Sequence, residues 1–127
     1  MKGVLIDTSV WVDHFRQRNE VLMDLLELDS ALLHPMILVE IACGTPPAPR
    51  ARTLDDLGLL QQTQQASLRE VMDFIEREKL YGLGCGLVDM VLLASTLITP
   101  GAELWTLDKR LAALSERFGV MHRPSPH

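Results

Sequence analysis

Short unbroken apolar runs alternate along this chain with stretches in which apolar residues recur every three or four positions. The first rhythm suits a buried strand and the second an amphipathic helix. Lys2 to Ile6 reads as a strand that ends at Asp7. Thr8 or Ser9 can cap the helix that follows, which carries Val10, Trp11, Val12 and Phe15. A second helix spans about Asn19 to Leu28, and Ala31 to His34 reads as a second strand. Pro35 suits the first position of a helix that runs to Cys43, and Gly44 and the proline-rich stretch to Pro49 end it.

Further on, Arg50 to Gln61 is predicted helical and Thr63 to Ala66 a short strand of poor composition. Ser67 with Glu70 forms a capping box for a helix to about Lys79. After the glycine-rich stretch Tyr81 to Gly86, the apolar segment Leu87 to Ile98 reads as a helix stopped by Pro100-Gly101. Glu103 to Leu107 is a strand, Lys109 to Phe118 a helix, and Val120 to His122 a last short strand. Residues 123–127 are predicted to fray.

Strands separated by helices imply a parallel sheet covered on both faces. At 127 residues the chain is expected to form one domain, with no linker or internal repeat. Ligands of such sheets bind beyond the carboxyl ends of the strands, near the switch in strand order. Four lone acids stand beside or inside apolar runs at such places. Asp7 ends the first strand, and Asp108 follows the Glu103–Leu107 run. Asp89 opens a helix, and Glu40 lies one turn into the helix after the second strand. A buried unpaired carboxylate is costly, so it calls for a cation or a proton. Acids converging on one mouth would suit hard divalent metal ions.

Composition changes this picture little. The chain is 47% hydrophobic and 23% charged, ordinary for a globular protein. No apolar stretch reaches the roughly 18 residues that span a bilayer, and the N-terminus opens directly on a strand, so a cytoplasmic protein without a signal peptide is expected. The two cysteines, Cys43 and Cys85, lack the spacing of a zinc site or redox pair and read as small, at least half-buried thiols. The net charge of -5 argues against binding nucleic acid by bulk positive potential. Yet the four candidate acids alone account for four of those charges, and bound divalent cations would offset them.

Other polar residues have simpler readings. Asp13, Asp24, Asp55, Asp56, Asp73, Glu76 and Glu78 fall on polar helix faces. His14, His34, His122 and His127 share no metal-site spacing and suggest structural or exposed roles. The Gly82–Gly86 loop lacks the lysine of a phosphate-binding loop and is expected to let the chain pass close to Asp89 or a ligand. Among the basic residues, Lys109 and Arg110 directly follow Asp108 and are best placed to touch phosphates. Trp11 and Phe15 suit a partner surface or the core equally well. For Asp7, Asp89 and Asp108, helix capping is the alternative to a metal site.

Leu5-Ile6-Asp7-Thr8-Ser9-Val10-Trp11, then Glu40 in its apolar helix, then Gly86-Leu87-Val88-Asp89 with Leu92-Leu93-Ala94-Ser95, and finally Leu104-Trp105-Thr106-Leu107-Asp108-Lys109-Arg110-Leu111 together resemble a PIN domain. More narrowly they resemble the VapC ribonuclease toxins of type II toxin–antitoxin pairs. Each motif is weak alone; the ordered set, spread over nearly the whole chain, is specific.

The resemblance implies a three-layer α/β/α sandwich around a parallel sheet of four or five strands. It implies an endoribonuclease dependent on Mg²⁺ or Mn²⁺. Asp7 and Asp89 would be the main metal ligands, with Glu40 and Asp108 completing the cluster directly or through water. Thr106 and Ser9 match the family's hydroxyl positions. A homodimer is implied, neutralised by a VapB antitoxin whose C-terminal segment covers the groove. Two other readings are a PIN-like scaffold that binds RNA or a partner without cutting, and a phospho-receiver domain. The latter needs a paired acid at the first strand and an Asp ending a middle strand, and neither is present.

Overall fold

The computed structural model describes residues 3–124; the predicted start of the first strand at Lys2, residues 125–127 of the expected frayed tail, and His127 lie outside them. Among the described residues, three strands and seven helices alternate. β1 (Val4–Ile6) is followed by α1 (Thr8–Arg16) and α2 (Glu20–Glu27). β2 (Ala31–Leu32) leads to α3 (Pro35–Cys43), α4 (Arg50–Gly58), α5 (Leu68–Glu78) and α6 (Leu87–Leu97). β3 (Glu103–Trp105) precedes α7 (Lys109–Arg117).

All pairings are parallel, in the order β2-β1-β3, so β1 is central. Leu5 sits between Leu32 and Leu104, and all three are buried. Outside the named strands, Gln62 bridges Leu33 and Met121 bridges Leu104, both in parallel. The sheet therefore has three strands rather than four or five, and each outer edge is extended by a single bridge.

The two expected edge strands shrink for identifiable reasons. In the Thr63–Ala66 segment, the Gln64 N–H donates to the Thr99 hydroxyl at 2.9 Å and the Ala66 N–H to the Ser95 hydroxyl at 3.1 Å. Those amides are satisfied by the end of α6, so no ladder forms. At the other edge, the Leu104 N–H donates to Val120 and the His122 N–H to Leu104, after which Pro124 can offer no donor. The predicted strand to Leu107 stops at Trp105 because the Thr106 hydroxyl accepts the Asp108 N–H at 3.0 Å, which starts a turn. The predicted strand to His34 stops because His34 caps α3 ahead of Pro35.

Parallel crossovers are right-handed. The connections through α1–α2 and α3–α4 both move outward past β2, so these helices cover one face. The connections through α5–α6 and α7 move the other way and cover the opposite face. Packing agrees: α1 meets α3 and α3 meets α4, whereas α5 meets α6 and α6 meets α7. The direction of travel reverses between β1 and β3, which is the switch point of the sheet.

The core is one cluster built from the strands, Val10, Trp11, Leu22, Ile37, Ile41 and the buried run Met90–Ala94. Trp11 is thus a core residue, while Phe15 is half-buried against it. Ser67 and Glu70 form the predicted reciprocal box at the start of α5. Cys43 is exposed, against expectation, because it closes the outer end of α3; Cys85 is half-buried, and both thiols are free. No helix among the described residues is long and apolar enough to cross a membrane.

His34 has a structural role with a pH signature. Its Nδ1 accepts the Met36 N–H at 3.0 Å, so the imidazole must be neutral to cap α3. Burial lowers its pKa from the ordinary 6.5. The unfolded chain then binds the proton more readily, so this contribution is complete above pH 6.5 and is lost as pH falls below it. We expect the urea midpoint to drop between pH 7.5 and 5.5, and His34→Asn, which can still cap, to shrink that drop.

Candidate active site

The β1–β3 ladder continues one residue past β1, where the Asp7 N–H donates to the Trp105 carbonyl at 2.9 Å. This rung sets Asp7 beside Thr106. Asp7, not Thr8 or Ser9, occupies the N-cap position of α1, yet its side chain makes no capping bond. Its Oδ2 instead accepts the Ser9 hydroxyl at 2.8 Å and the Thr106 hydroxyl at 2.7 Å. Both hydroxyls are fixed in turn: Ser9 accepts the Leu107 N–H at 3.0 Å, and Thr106 accepts that of Asp108. Asp7 as a whole is 8% exposed. One of its oxygens is saturated by hydroxyl donors, and Oδ1 receives no hydrogen bond from the described residues.

Asp89 lies in the first turn of α6 and is half-buried. Burial raises its pKa, and the negative charges of Asp7 and Asp108 raise it further; the Gly86 N–H opposes the shift and Glu40 adds a smaller push. Acids 82 residues apart in sequence, Asp7 and Asp89, thus share one electrostatic neighbourhood. Glu40 projects from α3 and is exposed, and it accepts the Thr8 hydroxyl at 2.6 Å. Asp108 is also exposed and caps α7, its Oδ1 accepting the Leu111 N–H at 2.9 Å. Of the four acids only Asp7 is truly buried. Asp89, half-buried, also carries a cost of burial, which is the largest cause of its raised pKa, and its acidic neighbours add to it.

The structure separates the two candidate basic residues. Arg110 donates to the Gly84 carbonyl at 3.3 Å and packs so closely that a Cβ at Gly84 would lie 2.7 Å from its Nη1. Gly84 also has φ +84°, so the loop favours glycine there for its backbone, while the guanidinium, at the end of a flexible side chain, could give way. Lys109 is exposed and has no ion pair among the described residues. Thr8 was legible in the sequence only as a possible cap; its bond to Glu40 depends on how α1 packs on α3, for which no local pattern exists. Within the described residues, His14, His34 and His122 have structural roles, one of the two kinds expected for them. His14 accepts the Asn19 N–H, and His122 meets Glu103 at 3.1 Å beside the Trp105 ring.

Among the described residues, no three acid, imidazole or thiol side chains stand close enough to grip one ion together. That spacing disfavours a closed cage, but it suits Mg²⁺, which keeps several waters and binds proteins through one or two carboxylates. An all-oxygen donor set, gathered without an intervening cation, fits such an ion.

A parallel α/β sheet with acids and hydroxyls collected at its switch point is the arrangement of a PIN-like domain. No protein-family model matches the chain. It is 41% identical over 117 residues to Ribonuclease VapC32 of Mycobacterium tuberculosis, in both strain CDC 1551 / Oshkosh and strain ATCC 25618 / H37Rv. The match covers 92% of this chain and 94% of each relative. The chain belongs to the VapC-type family of PIN-domain ribonucleases.

The raised pKa of Asp89 has a stability consequence. The folded state holds this proton more tightly than the unfolded state, so stability falls as pH rises through and above the ordinary value of 3.8. We expect Asp89→Asn to raise the urea midpoint at pH 7 in EDTA, with the gain disappearing near pH 3. A loss at pH 7 would contradict a carboxylate strained by burial and by its acidic neighbours.

Proposed function

We propose that the chain is a Mg²⁺- or Mn²⁺-dependent endoribonuclease, the toxin of a VapB–VapC pair, acting as a single domain. The observation that carries this reading is that the charges of Asp7, Asp108 and Glu40 all act on Asp89, with Asp7 fixed at the switch point of the sheet. The printed name of the Mycobacterium tuberculosis relatives supports RNA as the substrate. Asp7, through its open Oδ1, and Asp89 would hold the ion, with Glu40 and Asp108 joining directly or through water. The ion would supply a water activated at neutral pH and stabilisation of charge at the departing oxygen.

The chain's own residues prepare this chemistry. Ser9 and Thr106 lock the Asp7 carboxylate in one orientation, so little is left to reorganise on binding. Lys109 stands free at the start of α7, directly after Asp108, and would hold a phosphate. Arg110, exposed and bonded to the Gly84 carbonyl through one nitrogen, would offer its remaining N–H groups to a phosphate beside it. A VapB-type antitoxin, a homodimer and a cytoplasmic setting complete the proposal.

Purified protein should cut a structured RNA in Mg²⁺ or Mn²⁺. EDTA or Asp7→Asn should each reduce cleavage by more than about 100-fold, the upper end for changes outside the ligand shell. Cleavage that survives both would sink the metal mechanism. RNA binding without cleavage in the unaltered protein would favour the scaffold reading.

Lys109→Ala, introduced into the Asp7→Asn background, should weaken RNA binding alike for different sequences. It should also lower the slope of log affinity against log salt by about 1. Fluorescence anisotropy across a salt series measures both quantities.

A further inference from the structure

Glu40 is the least secured of the four acids. It stands on an exposed part of α3, beside Val39, which is 62% exposed. Among the causes that raise the Asp89 pKa, its charge is the smallest. A glutamate in that position would wander among rotamers in water. Its one hydrogen bond within the described residues comes from Thr8 Oγ1, at 2.6 Å. That length is typical of a charge-assisted bond from a hydroxyl to a carboxylate.

Thr8 opens α1, directly after Asp7, and Ser9 follows it. Two successive hydroxyls thus serve two different acids: Ser9 holds Asp7, and Thr8 reaches across to α3. This second bond is not needed to join the helices. Val10 and Trp11 of α1 and Ile37 and Ile41 of α3 are already buried in the common core.

We infer that Thr8 is a positioning residue, whose hydroxyl holds the Glu40 carboxylate in one orientation, from which it acts through water on an ion held by Asp7 and Asp89. The inference rests on the metal-site reading proposed above. It assigns Thr8 a part in ion affinity, acting through Glu40, without contact with substrate. Donors that orient a ligating carboxylate typically change metal affinity or activity 10–100-fold when removed.

Mn²⁺ alone is a suitable probe, titrated into the full chain without RNA and followed by electron paramagnetic resonance. Thr8→Val keeps the side-chain shape and removes the donor. It should weaken Mn²⁺ binding by about 10-fold or more, and Thr8→Ser should restore it. Glu40→Gln should weaken binding too, and adding Thr8→Val to it should cost little more, because the two act as a unit. Thr8→Ala provides the same test if the valine variant folds poorly, as judged by circular dichroism.

Unchanged Mn²⁺ affinity in Thr8→Val, with the unaltered chain binding normally, would overturn the inference and leave the nuclease reading intact. So would losses from Thr8→Val and Glu40→Gln that simply add. An unaltered chain that binds no Mn²⁺ would overturn both. An unaltered chain that binds Mn²⁺ but cuts no RNA would overturn the nuclease reading, while the titration of Thr8→Val would still decide the role of Thr8.

Discussion

The hydrogen bond from the Asp7 amide to the Trp105 carbonyl is short-range and unremarkable in strength, yet the site hangs on it. It is the last rung between the central strand and β3, at the place where the chain's crossovers change direction. Because β1 and β3 are held in register by Leu5 and Leu104, both fully buried, that rung cannot slip without turning core residues outward. The core therefore dictates that Asp7 and Thr106 meet. The hydroxyls of Ser9 and Thr106 then convert a backbone register into a fixed carboxylate.

What surrounds that carboxylate is chosen against stability. Asp7, Asp108 and Glu40 bring like charge toward Asp89, and Arg110 directs a guanidinium N–H to the Gly84 carbonyl. Oriented acids of one sign are poor for folding and good for attracting a divalent cation, a common conflict between function and stability. The loop benefits from this arrangement. Gly84 and Arg110 interlock, and the loop leads into Gly86, whose N–H faces Asp89.

Much of this was legible before any coordinates. The helices announced themselves by period and by punctuation: Pro35, Gly44, the Ser67 and Glu70 pair, and Pro100-Gly101 all mark real ends. Asp7, Asp89 and Asp108 were placed correctly at a strand end and at helix starts. Two of the strand errors share a cause, which is side-chain hydroxyls satisfying backbone amides. Thr99 and Ser95 take the amides that would have made Thr63–Ala66 a strand, and Thr106 ends β3 early. Such bonds join distant residues or depend on one rotamer, and hydrophobic period carries no trace of them. The same holds for Thr8 and Glu40, whose meeting requires the packing of two helices. Burial was overestimated for Glu40 and Asp108 because apolar neighbours in sequence need not be neighbours in space.

Asp108 holds two offices with one side chain: it caps α7 and it adds negative charge to the cluster. Asparagine caps a helix about as well as aspartate does. The charge can therefore vanish while the helix keeps its start, the core keeps its packing and the surface keeps its shape. If the proposed site is right, a fold arranged this way lies one amide away from a copy with the same surface and weakened chemistry. Shape and reactivity, so closely joined at Asp7, come apart at Asp108.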